Sequence, residues 1–291
     1  MGTYFNAYDI LSDVRRGLNE YSTAKVQGTD TSGAYTNTQL TNMINSAQRF
    51  IYSFLLTRIP EIFLTSTTIT GVASVYALPW DFGRLLIFKD DNNRKIYPIA
   101  VDKLKVSGST GNKRLYYRKG NDLVLDRDGI TDTYTLWYYK KCRELDQGKS
   151  SAGAATSLTL ATSAKKIADY YNGMDIENVT DDWVDTISDY TAARVCTITE
   201  TGAADKYYGI ISELPEPFHF LISQRAIMET KAVFPATQEA PKVAEVNFFM
   251  EQLIGTLRAY AGSKLDISME EIWLDFESTT PTRLGIIANE S

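Results

Sequence analysis

Residues 36–60, TNTQLTNMINSAQRFIYSFLLTRIP, carry the clearest helical pattern in the sequence. Thr36 and Asn37 have side chains that suit a helix N-terminus. Pro60 ends the pattern, because proline cannot continue a helix. Between them the apolar residues recur at three- and four-residue steps and form one broad stripe: Leu40, Met43, Ile44, Ala47, Phe50, Ile51, Phe54 and Leu55. The stretch therefore predicts a long helix that buries one face.

Three further stretches repeat this periodicity. One precedes the long helix, over residues 10–21, and two follow later, from about Pro217 to Val233 and from Pro241 to Gly262. The intervening segment 22–35 is rich in Gly, Ser and Thr and predicts a loop. Each stripe is too apolar to remain in water, so we expect the four helices to pack together.

Between the helices the period of the pattern changes to that of β-strands. Residues 90–93 and 120–121 have turn composition and predict two hairpins. Residues 134–139 are apolar or aromatic on both faces, which predicts a strand covered on both sides. The strands predicted in this region are 65–70, 75–78, 85–89, 95–99, 115–118, 123–125 and 134–139.

The predicted fold class is α+β. A four-helix core of two N-terminal and two C-terminal helices is interrupted by a β-hairpin region and by a small inserted all-β domain. Residues 148–155 predict a flexible connection. Beyond Gly262 we expect a short helical turn near 269–276 and then an extended arm. The predicted boundaries are 1–61 with 215–263 for the helical core, 62–145 for the β region, 157–214 for the insertion and 264–291 for the arm.

The composition excludes most catalytic classes. The 291 residues contain 30 Lys and Arg against 36 Asp and Glu, one His and two Cys. A zinc site would need Cys142, Cys196 and His219 to converge, and a serine or cysteine hydrolase would depend on His219 alone. A net charge of −6 disfavours a dedicated nucleic-acid binder unless the charge is segregated. We expect neither a cofactor nor a metal.

The start of the chain has no basic region followed by an apolar one, so no secretory signal is predicted. No run of about 20 apolar residues is present to span a membrane. The expectation is a soluble protein made in the cytoplasm, with both thiols reduced.

Several clusters have a structural and a functional interpretation. His219, between Phe218 and Phe220, is interpreted as a packed histidine rather than a catalytic base. Asp126–Gly129 is similar to the start of a calcium loop but lacks the later ligands. Basic and aromatic residues interleave over 113–119 and 138–141, as in nucleic-acid stacking sites. Strand alternation, with Tyr inward and Lys or Arg outward, explains those letters more simply.

Four stretches together resemble the head-to-tail adaptor proteins (connector or head-completion proteins) of tailed bacteriophages. Residues 8–19 resemble the opening helix of that family, and 35–47 resemble its second helix. Residues 78–86, LPWDFGRLL, are similar to the family's strand entry, and 213–222 resemble the start of the returning helix.

The resemblance implies a structural virion protein of the phage neck, assembled in the host cytoplasm and without enzymatic activity. It implies a ring of about twelve copies attached to the portal protein and joined to the tail or the next neck protein. Genome DNA would pass through the ring without sequence-specific binding. We predict that the arm binds the portal through Trp273, Leu274, Phe276, Arg283 and Leu284. We predict inter-subunit contacts at Arg15, Arg16, Arg49 and Arg225.

Two alternatives stay open at this point. The first is a carbohydrate-binding or tail-fibre-like β module on a helical base, with Trp183, Tyr170 and Tyr171 as its sugar platform. The second is an enzyme with a carboxylate-metal site at Asp181, Asp182 and Asp185, although a solvated turn explains these residues more simply.

Overall fold

A computed structural model of the chain describes residues 5–71, 74–99, 115–125, 133–234 and 241–262. The chain folds into two compact units. Unit 1 comprises the residues up to 55 together with those from 144 onward, and unit 2 comprises residues 56–143.

The described helices are α1 (Ala7–Gly17), α2 (Thr23–Val26), α3 (Asn37–Arg58), α4 (His219–Val233) and α5 (Val243–Ala261). Helix α3 agrees closely with the predicted 37–60 helix. Its first turn is closed by a capping box, in which the Gln39 N–H donates to Thr36 Oγ1 and the Thr36 N–H donates to Gln39 Oε1. Helix α5 ends at Gly262, whose φ of +74° suits glycine. None of the helices among the described residues is long and apolar enough to cross a membrane.

Unit 2 is built from strands β1 (Leu64–Thr70), β2 (Val75–Ala77), β3 (Phe82–Lys89), β4 (Tyr97–Pro98), β5 (Leu115–Lys119), β6 (Asp122–Leu125) and β7 (Thr133–Lys140). They form a three-stranded sheet in the order β1-β7-β3 and a four-stranded sheet in the order β2-β6-β5-β4. Strand β7 lies in the centre of its sheet, with Tyr134, Leu136 and Tyr138 buried on one face and Thr135, Trp137 and Tyr139 half-buried on the other, so the predicted cover is complete on one face only. The core of the unit is Ile69, Tyr76, Phe88, Ile96, Leu123, Leu125, Tyr134, Leu136 and Tyr138.

One of the two predicted hairpins in unit 2 forms only beside its turn. Strands β5 and β6 pair antiparallel across Gly120 and Asn121, as expected. Strand β4, however, pairs in parallel with β5 in the other sheet. The expected β3–β4 hairpin is short: Lys89 and Lys95 form an antiparallel bridge, the Ile96 N–H donates to the Phe88 carbonyl at 2.8 Å, and the Asp90 N–H donates to the Arg94 carbonyl at 2.9 Å. The Asp90 side chain accepts from the N–H groups of Asn92 and Arg94, which holds the loop. The chain then leaves the ladder for the second sheet.

Unit 1 also contains two four-stranded sheets, in the orders β13-β14-β10-β9 and β12-β11-β15-β8. Their strands are β8 (Gln147–Lys149), β9 (Ala152–Ala154), β10 (Ser157–Thr159), β11 (Asp175–Asn178), β12 (Trp183–Thr186), β13 (Asp189–Tyr190), β14 (Val195–Thr197) and β15 (Tyr207–Ile210).

The predicted flexible connection over 148–155 is wrong, because the segment contains β8 and β9. Its small residues serve close packing. A Cβ added at Gly148 would lie 2.7 Å from the Cβ of Ala161, and one at Gly153 would lie 2.3 Å from the backbone nitrogen of Ala203. The segment has the composition of a linker because its strands approach neighbouring backbone too closely for larger side chains to fit.

The mixed α+β class is confirmed, but the four-helix core is not matched. Five helices are described, with α2 inside the predicted loop 22–35, and α1 packs against strand β15 as well as against α4. The strands after residue 144 share a compact unit with the helices, and the unit has no break at 157 or at 215. The predicted arm at 264–291 and its helical turn lie outside the described residues.

Candidate interaction surfaces

Arg15, one of the predicted inter-subunit residues, is buried inside unit 1. Its guanidinium donates to Asn37 Oδ1 at 2.6 and 3.1 Å and to the Tyr35 carbonyl at 3.1 Å. It also pairs with Glu20 at 3.4 Å. These bonds tie α1 to the start of α3, so the arginine is not at the surface where a neighbouring copy would meet it.

Arg225 is likewise buried and has its partners within the chain. Its Nε lies 3.0 Å from Glu229 Oε1, one turn along α4. Its guanidinium lies 4.4 Å from the ring centroid of Phe50, a cation–π contact that joins α4 to α3. The apolar helix faces that predicted a core therefore enclose the charged side chain of Arg225. The sequence pattern did not indicate its partners.

Arg16 and Arg49 are exposed, with side chains 58% and 52% accessible. Arg16 pairs with Asp13 at 2.9 Å and lies over the ring of Tyr21. Arg49 pairs with Glu144 at 3.2 Å. Surface ion pairs of this kind are weak, so both arginines can exchange their partner for one on another molecule. Their inter-subunit role stays a prediction.

The predicted portal-binding residues lie outside the described residues, as does the calcium-like stretch Asp126–Gly129. They are Trp273, Leu274, Phe276, Arg283 and Leu284. Their role stays a prediction too.

His219 is a packed side chain at the start of α4. Its Nε2 lies 2.6 Å from the carbonyl oxygen of Leu214, and burial lowers the pKa of the imidazole. The neutral, enclosed ring agrees with the structural interpretation of this histidine. Cys142 and Cys196 are both free thiols, and Cys196 is buried.

The acidic residues around Trp183 do not form a metal site. Asp181 pairs with Lys206 at 2.6 Å, whereas Asp185 accepts from the backbone and side chain of Thr199. Asp182 has a φ of +55° and is exposed at the turn between β11 and β12. Across the described ranges, no three His, Cys, Asp or Glu side chains come together as metal ligands would. The carboxylates hold turns, as the simpler interpretation states.

The predicted sugar platform is also wrong. Tyr170 and Tyr171 are only 7% and 1% exposed, and their rings pack edge to face at 4.9 Å. The Tyr170 hydroxyl accepts from the Glu144 N–H, which ties it into unit 1. Only Trp183 is partly exposed, and a single ring does not make a platform. The apolar pattern of the tyrosines was a core signal.

A polar cavity of about 450 Å³ lies in unit 1 beside the first half of α3. Asn45 closes one side by donating to the Leu145 carbonyl at 3.0 Å and accepting from its N–H at 2.7 Å. Asp146 lines the cavity and accepts from the Tyr208 hydroxyl at 2.5 Å. Burial raises the pKa of Asp146 to about 6. The sequence analysis missed this feature, because its residues come from distant segments.

In unit 2, cations gather where β3 begins and where β5 and β7 end. We call this surface the basic end; it consists of Arg84, Arg118, Lys119, Lys140 and Lys141. Arg118 lies over the ring of Phe82 at 5.3 Å and Lys141 over that of Trp80 at 5.8 Å. Tyr138 is buried and Lys140, two positions on and on the same face of β7, is half-buried, so the predicted alternation of inward Tyr and outward Lys is not seen here. The aromatic rings thus carry cations on their faces.

A protein-family model described as SU10 adaptor protein matches residues 5–151. Three of the four stretches that carry the phage-adaptor resemblance, 8–19, 35–47 and 78–86, fall inside that range. No curated protein sequence matches the chain. Since the matched range takes in α1, α3 and all of unit 2, and just over half of the residues, the chain belongs to the SU10 adaptor protein family.

Proposed function

We propose that this protein is a structural component of a phage virion, a head-to-tail adaptor in the neck. The observation that carries the proposal is the family match over residues 5–151. It agrees with the resemblance of the helices and of the Leu78–Leu86 strand entry to phage adaptors. A phage adaptor works by contact with other virion proteins, and its location is the virion.

The finer part of the proposal is a ring of about twelve copies, closed by heterologous contacts between neighbours. Each copy then needs two different surfaces, one for each neighbour. Arg16 and Arg49 are the two predicted inter-subunit arginines that remain exposed. The ring would join the portal to the tail or to the next neck protein, with genome DNA passing through it.

Attachment to the portal is assigned to residues 264–291. The segment contains Trp273, Leu274 and Phe276 within four residues, and aromatic and large apolar side chains are typical anchors of protein interfaces. Arg283 and Leu284 extend the proposed contact toward the C-terminus. Binding would order these residues and bury their apolar area.

The proposed role involves no catalysis. His219 is the single histidine, and its imidazole is enclosed and neutral. The described carboxylates of the 181–185 turn each have a structural partner or lie apart at the surface. A protein that acts only through contacts with other proteins needs neither a catalytic histidine nor a carboxylate site.

The direct test is native mass spectrometry of the full chain mixed with portal protein. The proposal expects a complex that adds about twelve copies of a 32.6 kDa chain to the portal ring. Deleting residues 264–291 should leave a folded protein that no longer binds. The double variant Trp273→Ala, Phe276→Ala should also lose binding, whereas the matched control Glu270→Gln, Glu271→Gln should keep it. Wild-type binding by the truncated chain would refute the arm assignment, and absence of the protein from intact virions would refute the proposed function.

A further inference from the structure

The charge of this chain is strongly segregated between its two units. Residues 56–143 contain 15 Lys and Arg against 9 Asp and Glu, a net charge of +6. The remaining residues contain 15 against 27, a net charge of −12. The net charge of −6 is therefore the sum of two units of opposite charge. Exposed charges are screened beyond about 8 Å at physiological salt, so a partner senses each unit rather than the total.

We propose that the basic end of unit 2 docks on the acidic surface of unit 1 of a second copy of this chain. This inference rests on the proposed function in one respect: it assigns the contact that would close the adaptor ring. It names both sides of a heterologous interface, and every copy carries both sides.

The geometry of the basic end suits an interface. Lys140 lies opposite Phe82 in the β3–β7 ladder, and Arg118 covers the same ring. Arg84, Arg118, Lys119 and Lys141 are all exposed. Of the carboxylates nearby, Asp81 accepts from the Tyr138 hydroxyl at 2.7 Å, and Asp122 lies opposite Lys119 in the β5–β6 ladder, so the five cations outnumber them. Arginine and aromatic side chains, here Arg118 over Phe82, are enriched at protein interfaces.

The acidic side is the stretch 167–193, which has seven carboxylates and no lysine or arginine. It includes strands β11, β12 and β13. Strand β12 pairs with β11 on one side only, so it forms an edge of its sheet, and Val184 on it is 37% exposed. Asp169 and Asp182 are exposed on the turns around these strands, and Asp189 is exposed at the start of β13. Val184 thus lies on an open strand edge among exposed carboxylates, which complements the charge and the aromatic rings of the basic end.

Duplex DNA is the other polyanion that a basic surface can bind, but the second copy fits better. Phosphate binding gains from cations spread along a backbone track, whereas the basic end is a compact group around two aromatic rings. Unit 1 would meanwhile repel DNA with twice the charge. A second copy supplies the acidic partner at equal stoichiometry, and segregated charge gives each copy the two unlike surfaces that a ring requires.

The test uses variants of the full chain in which selected charged side chains are replaced by neutral ones. Variant A is Arg118→Gln, Lys119→Gln, Lys141→Gln, and variant B is Asp169→Asn, Asp182→Asn, Asp189→Asn. The matched control removes three cations from the far end of β3 in the same unit: Lys89→Gln, Arg94→Gln, Lys95→Gln. Self-association is measured by sedimentation velocity at low salt and at about 1 M NaCl, where the screening length falls to about 3 Å. Circular dichroism checks that each variant is folded.

The wild type and the control should self-associate at low salt and dissociate at high salt. Variants A and B should each associate at least about tenfold more weakly, a difference of about 1.4 kcal/mol. Mixed in equal amounts, A and B should form a 1:1 dimer that grows no further, because only the acidic side of A and the basic side of B remain intact.

Three results would overturn the proposal: a wild type that stays monomeric at low salt, a variant A that associates like the control, or A and B that fail to pair. Retention of duplex DNA by the wild type and not by A, with self-association unchanged, would overturn it in favour of DNA. The proposed function has its own readouts, portal binding and presence in virions, so the two can fail separately.

Discussion

The two units of this protein are held together by different kinds of interaction. The core of unit 2 packs four aromatic rings among five aliphatic side chains, with Tyr76 against Tyr134 at 4.9 Å and Phe88 against Tyr134 at 5.1 Å. Unit 1 has an apolar core as well, but buried polar side chains pin its helices to its strands. Asn6 is the clearest case. Its Oδ1 caps α1, and its Nδ2 donates to Glu177 Oε2 at 2.6 Å on strand β11.

This difference determines what each unit tolerates. Ring packing is spread over many contacts and loses stability in proportion to the volume removed. A buried side-chain hydrogen bond is directional. Removing one partner leaves the other partner without a hydrogen bond in a place that water cannot reach. The stability of unit 2 should therefore depend on the volume of its buried side chains. The stability of unit 1 should depend on single buried polar atoms.

The largest expected effect is the loss of a ring from unit 2. Tyr76→Ala removes a fully buried side chain and should lower the free energy of unfolding by about 4 kcal/mol. Hydrogen exchange should show the loss of protection in β1–β7 before the helices of unit 1 are affected. Tyr97→Ala is the control, because that ring is 54% exposed. Equal loss of protection in both units would contradict the separation of their cores.

The second-largest effect is expected from the loss of the buried hydrogen bonds of Asn6 in unit 1. Asn6→Ala removes the cap of α1 and the bond to Glu177, and should cost about 2–3 kcal/mol of unfolding free energy in urea. Asn42→Ala on the exposed side of α3 serves as the control and should change little. The backbone at Gly209 gives a second check, because a Cβ there would lie 2.3 Å from Asn6 Oδ1. A Gly209→Ala variant as stable as the wild type would show that Asn6 is not held in place.

A pH dependence should distinguish the units further. Burial raises the pKa of Asp9 and of Asp146 to about 6, from 3.8. Folded unit 1 then binds these protons more tightly than the unfolded chain does. The stabilisation is complete below pH 3.8 and is lost as the pH rises through 6.

Considered alone, Asp146 should add about 2 kcal/mol of stability between pH 7 and pH 4.5. The melting temperature of unit 1 should thus rise on mild acidification. In Asp146→Asn that slope should be reduced. An unchanged slope in the variant would show that Asp146 is not the titrating group.

The smallest expected effect concerns a surface ion pair. Arg49→Gln removes the bond to Glu144 and should change the stability of the monomer by about 0.5 kcal/mol or less. If Arg49 contacts a neighbouring copy, self-association should weaken while the melting temperature stays the same. A large loss of monomer stability would instead assign Arg49 a structural role like that of Arg15.

Local patterns in the sequence were sufficient for the α+β class, for α3 and its capping residues, and for the existence of strand β7. Each of these depends on residues within one segment, where periodicity, caps and turns act over a few positions. The same local signals explain why residues 8–19, 35–47 and 78–86 resembled a phage adaptor before any fold was known.

Only the tertiary structure decided which polar residues are buried and which cations share a surface. Arg15 and Arg225 carry the same local signal as Arg16, yet their partners in space bury them. Segment 148–155 has a linker's composition, but strands pack against its glycines. Burial and charge segregation are sums over residues far apart in the chain. A sequence determines such sums only by folding, whereas a helix repeat can be recognised in the linear pattern itself.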